Sequence, residues 1–245
     1  EVSRKLPAHP PCFLIGRKFG DQFVQSGNCD LFPSILVAYS RFHAFFLKEG
    51  ADKRFFLGAG FVERFLGVLV AAVVEDARTA QHERILDWLG GLPQVDPARI
   101  GFYGLSYGGS TAMRVPAILT RYAAVVCSGN FNEWVWKLST TAWPGSYVFT
   151  REYEMPEFDL AGSFNHAEMA ALIAPRPFMV ERGHADGVGI DEWVAFEYAK
   201  VKRLYDRLGL PDRTAIEYFN GPHTIHGVGA YAFLHRHLAW PEPRR

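Results

Sequence analysis

The sequence predicts an α/β protein with a mostly parallel central sheet flanked by helices. Short β-rich runs alternate with longer helical patterns along the chain, which is typical of βα units arranged around such a sheet. Hydrophobic residues make up 49% of the 245 residues and are spread evenly, without a polar stretch that divides the chain. We therefore expect a single domain over residues 1–245 with one substantial core.

The predicted elements follow from local hydrophobic patterns. Strands are predicted near residues 12–16, 34–39, 99–104, 123–128, 178–181 and 215–219. Apolar residues recur on one helical face over residues 76–89, where Gly90 and Gly91 follow, and over residues 192–208, where Gly209 follows.

Composition excludes several classes of function. The chain carries 26 basic and 26 acidic residues, so it offers no net charge for binding nucleic acid or an anionic membrane. The most apolar run, residues 65–74, has only about half of the roughly 20 residues that a membrane span needs. The odd set Cys12, Cys29 and Cys127 predicts neither a disulfide framework nor a metal or redox pair. No signal peptide is visible, so we expect a cytoplasmic protein, or a secreted one whose leader has been removed.

A glycine-flanked serine stands between a predicted strand and a predicted helix. Residues 104–108 read Gly-Leu-Ser-Tyr-Gly, and a serine on so tight a turn needs glycines two residues before and after it. The following helix directs its positive end at the turn, where the Tyr107 N–H can bind an oxyanion. We predict that Ser106 is a nucleophile; the alternative is a glycine-rich loop.

A serine nucleophile needs a histidine base and a carboxylate that orients the histidine. Asp186 stands at the C-terminal end of a predicted strand, where parallel sheets place catalytic groups, and is the predicted acid. The alternative for Asp186 is a surface turn residue. Glu181 lies within the strand and is expected to be a structural ion-pair partner, whereas Glu192 is expected to be a first-turn helix acid.

The loop after the last predicted strand contains two candidates for the base, His223 and His226. His223 is favoured because it directly follows Gly-Pro at the strand exit and can project over the sheet edge toward Ser106. The spacing His-x-x-His also suggests a metal pair, but a zinc site needs at least three protein ligands and no further cluster accompanies it. We therefore expect no metal.

These motifs together resemble the dienelactone-hydrolase-like and acetyl-esterase-like branches of the α/β-hydrolase superfamily, which are related to prolyl oligopeptidases. The resemblance covers about residues 60–240. It rests on Asp-Pro-x-Arg-Ile-Gly-x-x-Gly-x-Ser-Tyr-Gly-Gly at 96–109, Ala-Pro-Arg-Pro at 174–177 and Gly-Pro-His at 221–223. It implies the α/β-hydrolase fold and a serine esterase that cleaves carboxylic esters through an acyl-enzyme without a cofactor. Two alternatives are a serine exopeptidase of the oligopeptidase type and an inactive hydrolase-fold binding module.

The N-terminal part departs from the pattern of these relatives. They carry His-Gly and further glycines after the third strand, whereas residues 15–20 here read Ile-Gly-Arg-Lys-Phe-Gly. In this register the Arg17 N–H is the second oxyanion donor. Because no room precedes Cys12 for the two opening strands of the fold, we expect a sheet shortened at its N-terminal edge, or a fragment.

Residues 129–160 are rich in aromatic side chains without a clean helical or strand period. A segment of this length between two parallel strands predicts a lid or a side wall, and the alternative is an insertion that only packs on the body. We expect Trp134, Trp136 and Trp143 to contact the substrate, a small-molecule ester with a small acyl or aryl group.

Overall fold

The computed structural model describes residues 13–16, 77–150, 152, 155–156 and 160–239, with only the backbone described for 13–16. Its sheet has five parallel strands in the order β1-β2-β3-β4-β5. The strands are β1 Phe13–Gly16, β2 Gly101–Leu105, β3 Ala124–Ser128, β4 Phe178–Gly183 and β5 Thr214–Phe219. Five of the six predicted strands are thus confirmed, and the one predicted at 34–39 lies outside the described residues.

Seven helices surround the sheet in the described part of the chain. They are α1 at 77–90, α2 Tyr107–Ile118, α3 Trp134–Ser139, α4 Leu160–Ser163, α5 His166–Ile173, α6 Asp191–Arg207 and α7 Val228–His237. The predicted helix end at Gly209 is confirmed, since Gly209 takes a φ of 71°, which a glycine adopts without strain. None of the helices in the described ranges is long and apolar enough to cross a membrane.

The strand predicted at 99–104 begins later than the sequence suggested. Residues Pro97–Arg99 form a turn of 3-10 helix instead, and β2 starts at Gly101. The Asp96 side chain accepts a hydrogen bond from the Ala98 N–H at 2.9 Å and pairs with Arg99 Nε at 2.7 Å. These side-chain contacts compete with strand pairing, so Arg99 belongs to the turn.

The central strands are buried on both faces. β2, β3 and β4 are buried along their whole length, as expected for parallel strands covered by helices on both sides. Successive residues face opposite cores: Phe102 belongs to the larger hydrophobic cluster, with residues of α2, α5 and α6, and Tyr103 to the smaller one, with α7. The carboxyl ends of the parallel strands therefore meet at one edge, where functional residues of such sheets gather.

The turn from β2 into α2 is tight. A Cβ atom built on Gly104 would lie 2.1 Å from the Gly108 carbonyl oxygen, so no side chain fits there. Ser106 adopts φ 61° and ψ −115°, a strained conformation for a residue with a side chain. Its N–H donates to the Ser128 carbonyl at 3.0 Å, and its own carbonyl accepts from the Ser110 N–H at 2.9 Å. The backbone thus holds Ser106 at the carboxyl edge of the sheet.

Gly104→Ala is expected to destabilise the fold by about 3 kcal/mol or more, because a clash between two backbone segments has no rotamer escape. Thermal unfolding followed by circular dichroism measures the loss. The control is Gly91→Ala, whose added Cβ would lie no closer than 3.5 Å to its neighbours. Equal melting temperatures for the two variants would contradict the tight packing of the turn.

Candidate active site

Ser106 occupies the junction between β2 and α2, and only 7% of its surface is exposed. Tyr107 is the first residue of α2, so its N–H lies at the positive end of the helix dipole beside the serine. Gly16, the last residue of β1, pairs with Gly104 in the sheet. Arg17 itself lies outside the described residues.

Asp186 and His223 form a hydrogen-bonded pair, in which Asp186 Oδ2 lies 2.8 Å from His223 Nδ1. Asp186 is 3% exposed, and its other oxygen accepts from the Val188 N–H at 2.8 Å. The carboxylate is thereby fixed on both oxygens. A carboxylate that accepts a hydrogen bond from Nδ1 favours the tautomer in which Nε2 carries no proton. In this form Nε2 can accept a proton.

Gly129 is the point at which the strand that precedes Ser106 meets Asp186 and His223. A Cβ atom built on it would lie 2.8 Å from Leu105 Cδ1 and 2.9 Å from both Asp186 Oδ2 and His223 Cε1. Its φ is 58°, so both its conformation and its surroundings require a glycine. The sequence reasoning assigned it no role, although a glycine directly after a buried apolar strand was a usable signal.

The hydrogen bond between Ser106 Oγ and His223 Nε2 is not formed in this structure. His223 Nε2 is buried and has no hydrogen-bond partner among the described residues. Catalytic hydrogen bonds are often long before substrate binds and tighten in the complex, so the nitrogen stays a candidate proton acceptor.

The second candidate base, His226, has a different environment. Its Nδ1 lies 2.8 Å from Glu217 Oε1, and its ring stacks on Phe219 with centroids 4.5 Å apart. The predicted acid Asp186 therefore pairs with His223 and not with His226.

Glu181 is buried, with 1% exposure, and holds several elements together through hydrogen bonds. It accepts from the Tyr103 hydroxyl at 2.7 Å, the Ser128 hydroxyl at 2.6 Å and the Gly227 N–H at 2.8 Å. Burial and the neighbouring Glu181 carboxylate both raise the pKa of the Tyr103 hydroxyl, which therefore remains a donor. The ion pair expected for Glu181 is not formed within the described residues, where its partners are neutral donors. These hydrogen bonds join β2 and β3 to the loop that carries His223.

One group in the described ranges has the spacing of metal ligands, namely Glu181, Glu217 and His226, whose ligand atoms lie within 4.8 Å of one another. Both Glu217 oxygens already have protein partners, His226 Nδ1 and the Gly229 N–H. The Glu181 oxygens are bound as described above. In this structure the group is thus a hydrogen-bonded network whose carboxylate oxygens all have protein partners.

Arg182 organises the loop that carries the acid. It donates to the carbonyls of Asp186 at 3.0 Å and Gly189 at 2.8 Å, and its Nε pairs with Asp191 Oδ1 at 2.9 Å. His184 binds the other Asp191 oxygen at 2.5 Å, and Glu192 lies in the first turn of α6 as expected. A single buried guanidinium thus spans residues 186–191. The sequence reasoning gave Arg182 no role.

A cavity of about 140 Å³ opens beside Ser106. The described residues that line it are Ser106, Tyr107, Asn130, Lys137, Gly145, Tyr147, Thr150, Glu152, Met155, Gly187 and Val188. Seven of these eleven belong to the segment 129–160, which therefore forms one wall of the cavity.

Searches by sequence find no matching family model and no matching curated protein. Solved structures do match. A family 15 carbohydrate esterase, a glucuronoyl esterase from Caldicellulosiruptor kristjansonii, has a TM-score of 0.54 at 22% identity over 68% of this chain and 50% of its own. Methylesterase BT1017 has a TM-score of 0.51 at 22% identity, over 68% and 36%. A glucuronoyl esterase from Solibacter usitatus has a TM-score of 0.51 at 16% identity, over 66% and 47%.

The chain has the α/β-hydrolase fold. It spans half or less of the length of these structures, and at such identities the likeness establishes the fold. The predicted fold is thereby confirmed, while membership of the superfamily and the narrower resemblance to dienelactone hydrolases stay predictions.

The three tryptophans expected at the substrate do not line the cavity of this hydrolase fold. Trp134 is fully buried and stacks on His166 with centroids 4.7 Å apart. Trp136 is 56% exposed and, like Trp143, packs edge-on against Trp193. The rings pack toward α5 and α6, and the substrate contact expected of them stays a prediction.

Lys137 is the unexpected residue of the cavity. It is 3% exposed, and its Nζ donates to the Gly145 carbonyl at 2.5 Å. The ammonium lies 4.6 Å from the Trp143 ring centroid and 4.3 Å from that of Tyr147. Burial lowers the pKa of Lys137 from 10.5 to about 8, although Glu152 and Asp186 act in the opposite direction.

Glu181→Gln is expected to lower the free energy of unfolding by about 2 kcal/mol or more. The N–H₂ group of the new glutamine side chain is a donor, so one of the buried donors that now bind Glu181 would lose its acceptor. Urea unfolding measures the change. Glu192→Gln, at the start of α6, is the control. An unfolding free energy for Glu181→Gln equal to that of the control would show that the buried network contributes nothing.

The lowered pKa of Lys137 predicts a pH-dependent stability. An unfolded lysine keeps its proton up to about pH 10.5, so between about pH 8 and 10.5 the unfolded chain binds more protons than the folded one. The free energy of unfolding of the wild type, relative to Lys137→Met, should therefore rise with pH across this window. Urea unfolding at pH 7, 8, 9 and 10 measures it, with exposed Lys202→Met as the control. A difference in unfolding free energy that stays constant or falls as the pH rises would contradict this expectation.

Proposed function

We propose that the protein is a carboxylic ester hydrolase in which Ser106 is the nucleophile, His223 the base and Asp186 the orienting acid. The observation that carries the proposal is the Asp186–His223 pair, which converges with the strand of Ser106 on Gly129. The three residues also follow one another in the chain order serine, acid, histidine that the α/β-hydrolase fold uses.

In the proposed reaction, Ser106 Oγ attacks the ester carbonyl while His223 Nε2 accepts its proton. The imidazolium is stabilised by Asp186 and then protonates the leaving alcohol. Water attacks the resulting acyl-enzyme by the same route in reverse. The tetrahedral oxyanion is held by the Tyr107 N–H and, in the register suggested by the Gly16–Gly104 pair, by the Arg17 N–H. The mechanism needs no cofactor or metal.

The substrate we propose is a small-molecule ester. The three similar structures described above carry the names of two glucuronoyl esterases and a methylesterase, all ester hydrolases. A cavity of about 140 Å³ beside Ser106 suits a small acyl group, and the segment 129–160 supplies its side wall.

Ser106→Ala is expected to lower kcat for p-nitrophenyl acetate by at least about 10⁴-fold, because the attacking oxygen is lost. Spectrophotometric release of p-nitrophenolate measures it. Ser139→Ala, at an exposed position of α3, is the control and keeps the wild-type rate. A folded Ser106→Ala protein with full activity would exclude Ser106 as the nucleophile.

The choice of base is tested by comparing two histidine variants. His223→Ala is expected to lower kcat/KM by about 10³-fold or more, since the proton acceptor is lost. His226→Ala loses only a contact with Glu217 and a ring stack, so its loss of activity should be far smaller. The same p-nitrophenyl acetate assay measures both, and a larger loss in His226→Ala would reverse the assignment.

A further inference from the structure

The cavity beside Ser106 is lined mainly by polar groups. Its wall contains a lysine, a glutamate, an amide, a threonine and two tyrosines, and among the described lining residues only Met155 and Val188 have aliphatic side chains. Pockets for plain acyl or aryl groups are predominantly apolar. The chemistry of this wall therefore differs from the small acyl or aryl pocket expected from the sequence.

Two polar atoms of this wall are buried without a partner in the described part of the chain. Asn130 is 4% exposed, and its Oδ1 accepts no hydrogen bond. Thr150 Oγ1 is in the same state. Buried polar atoms in proteins are nearly always paired, and an unpaired one costs about 1–3 kcal/mol. Both residues line the cavity of the nucleophile, so a ligand there can pair with them.

Lys137 adds a donor to the same wall. An ammonium group has three N–H donors, and the hydrogen bond to Gly145 uses one of them. The wall thus combines a donor at Lys137 with an acceptor at Asn130 Oδ1 and a hydroxyl at Thr150 that serves either way.

We propose that the cavity binds an ester that carries a free hydroxyl group near the ester bond, a substrate class that rests on the proposed hydrolase function. The substrate hydroxyl accepts from Lys137 and donates to Asn130 Oδ1 or Thr150 Oγ1. Its ability to do both is what the wall requires. A carboxylate has no proton to donate to Asn130 Oδ1, and an alkyl chain leaves all of these groups unpaired.

The expected selectivity is large. A site built to hydrogen-bond a substrate hydroxyl rejects the analogue without it by up to about 10⁴- to 10⁵-fold, because buried polar groups then stay unpaired. Since Lys137 keeps its Gly145 and aromatic contacts without substrate, we expect a smaller preference of about 10²-fold in kcat/KM.

The test uses substrate pairs with equal numbers of heavy atoms. Ethyl 3-hydroxypropanoate against ethyl butanoate places the hydroxyl in the acid part, and 2-hydroxyethyl acetate against propyl acetate places it in the alcohol part. Monoethyl succinate provides the carboxylate. Acid release is followed by pH-stat, and each kcat/KM is divided by the ester's alkaline hydrolysis rate to remove intrinsic reactivity.

The wild type is expected to prefer the hydroxylated ester in at least one pair. The pair that shows this preference indicates whether the wall contacts the acid part or the alcohol part of the ester. Lys137→Met and the isosteric Thr150→Val should each lower that ratio about 10-fold or more. Lys202→Met, an exposed lysine on α6, keeps the wild-type ratio. Circular dichroism confirms that the variants are folded.

Ratios near one in both pairs, a preference for monoethyl succinate, or unchanged ratios in both Lys137→Met and Thr150→Val would overturn the proposed substrate class. The hydrolase function would survive these results, provided that hydrolysis still depends on Ser106. Absence of hydrolysis of every ester, p-nitrophenyl acetate included, would overturn the function and with it the substrate class.

Discussion

The close approach of β2 and α2 at Gly104 and Gly108 is the constraint on which the rest of the site depends. Because no Cβ atom fits between these glycines, the chain turns from strand to helix at Ser106. Ser106 adopts the positive φ that this tight turn requires. The same turn brings the Ser106 N–H to the Ser128 carbonyl on β3. Ser106 is thus fixed against β3, and the residue that follows this strand, Gly129, lies beside both Asp186 and His223.

Two adjacent residues of β4 hold the two loops that bring the acid and the base together. Successive side chains of a strand point to opposite faces, so Glu181 and Arg182 reach different surroundings from neighbouring positions. Glu181 binds the Gly227 N–H in the base loop, and Arg182 binds the backbone of the acid loop at Asp186 and Gly189. The geometry of the Asp186–His223 pair therefore depends on a strand that contains neither residue.

The sequence predicted those parts of the site that depend on local backbone rules. A serine between glycines after an apolar strand, and an aspartate at a strand end, are recognisable because the motif and the chain geometry coincide. The choice between His223 and His226 was harder, since it depends on Asp186 and Glu217, which are distant in the chain. Position after Gly-Pro favoured His223, and in the structure the Nδ1 of this residue lies 2.8 Å from the Asp186 carboxylate.

The cavity wall could not be predicted in the same way. Residues 129–160 have no regular period, so the sequence did not indicate which side chains face Ser106, and the conspicuous tryptophans suggested a substrate contact. In the folded chain Trp134 stacks on His166, and Lys137 occupies the cavity with Asn130. These positions follow from tertiary packing of the segment against α5 and α6, which no local pattern encodes.

The most direct test of the account is covalent labelling of the wild-type protein with a fluorophosphonate probe, followed by peptide mass spectrometry. Such probes react rapidly only with a serine that a base and an oxyanion site activate. The account predicts one phosphonylated residue, Ser106, with labelling abolished by heat denaturation and strongly slowed in His223→Ala. A folded protein that is not labelled, or is labelled at another serine, would contradict it and favour an inactive binding module.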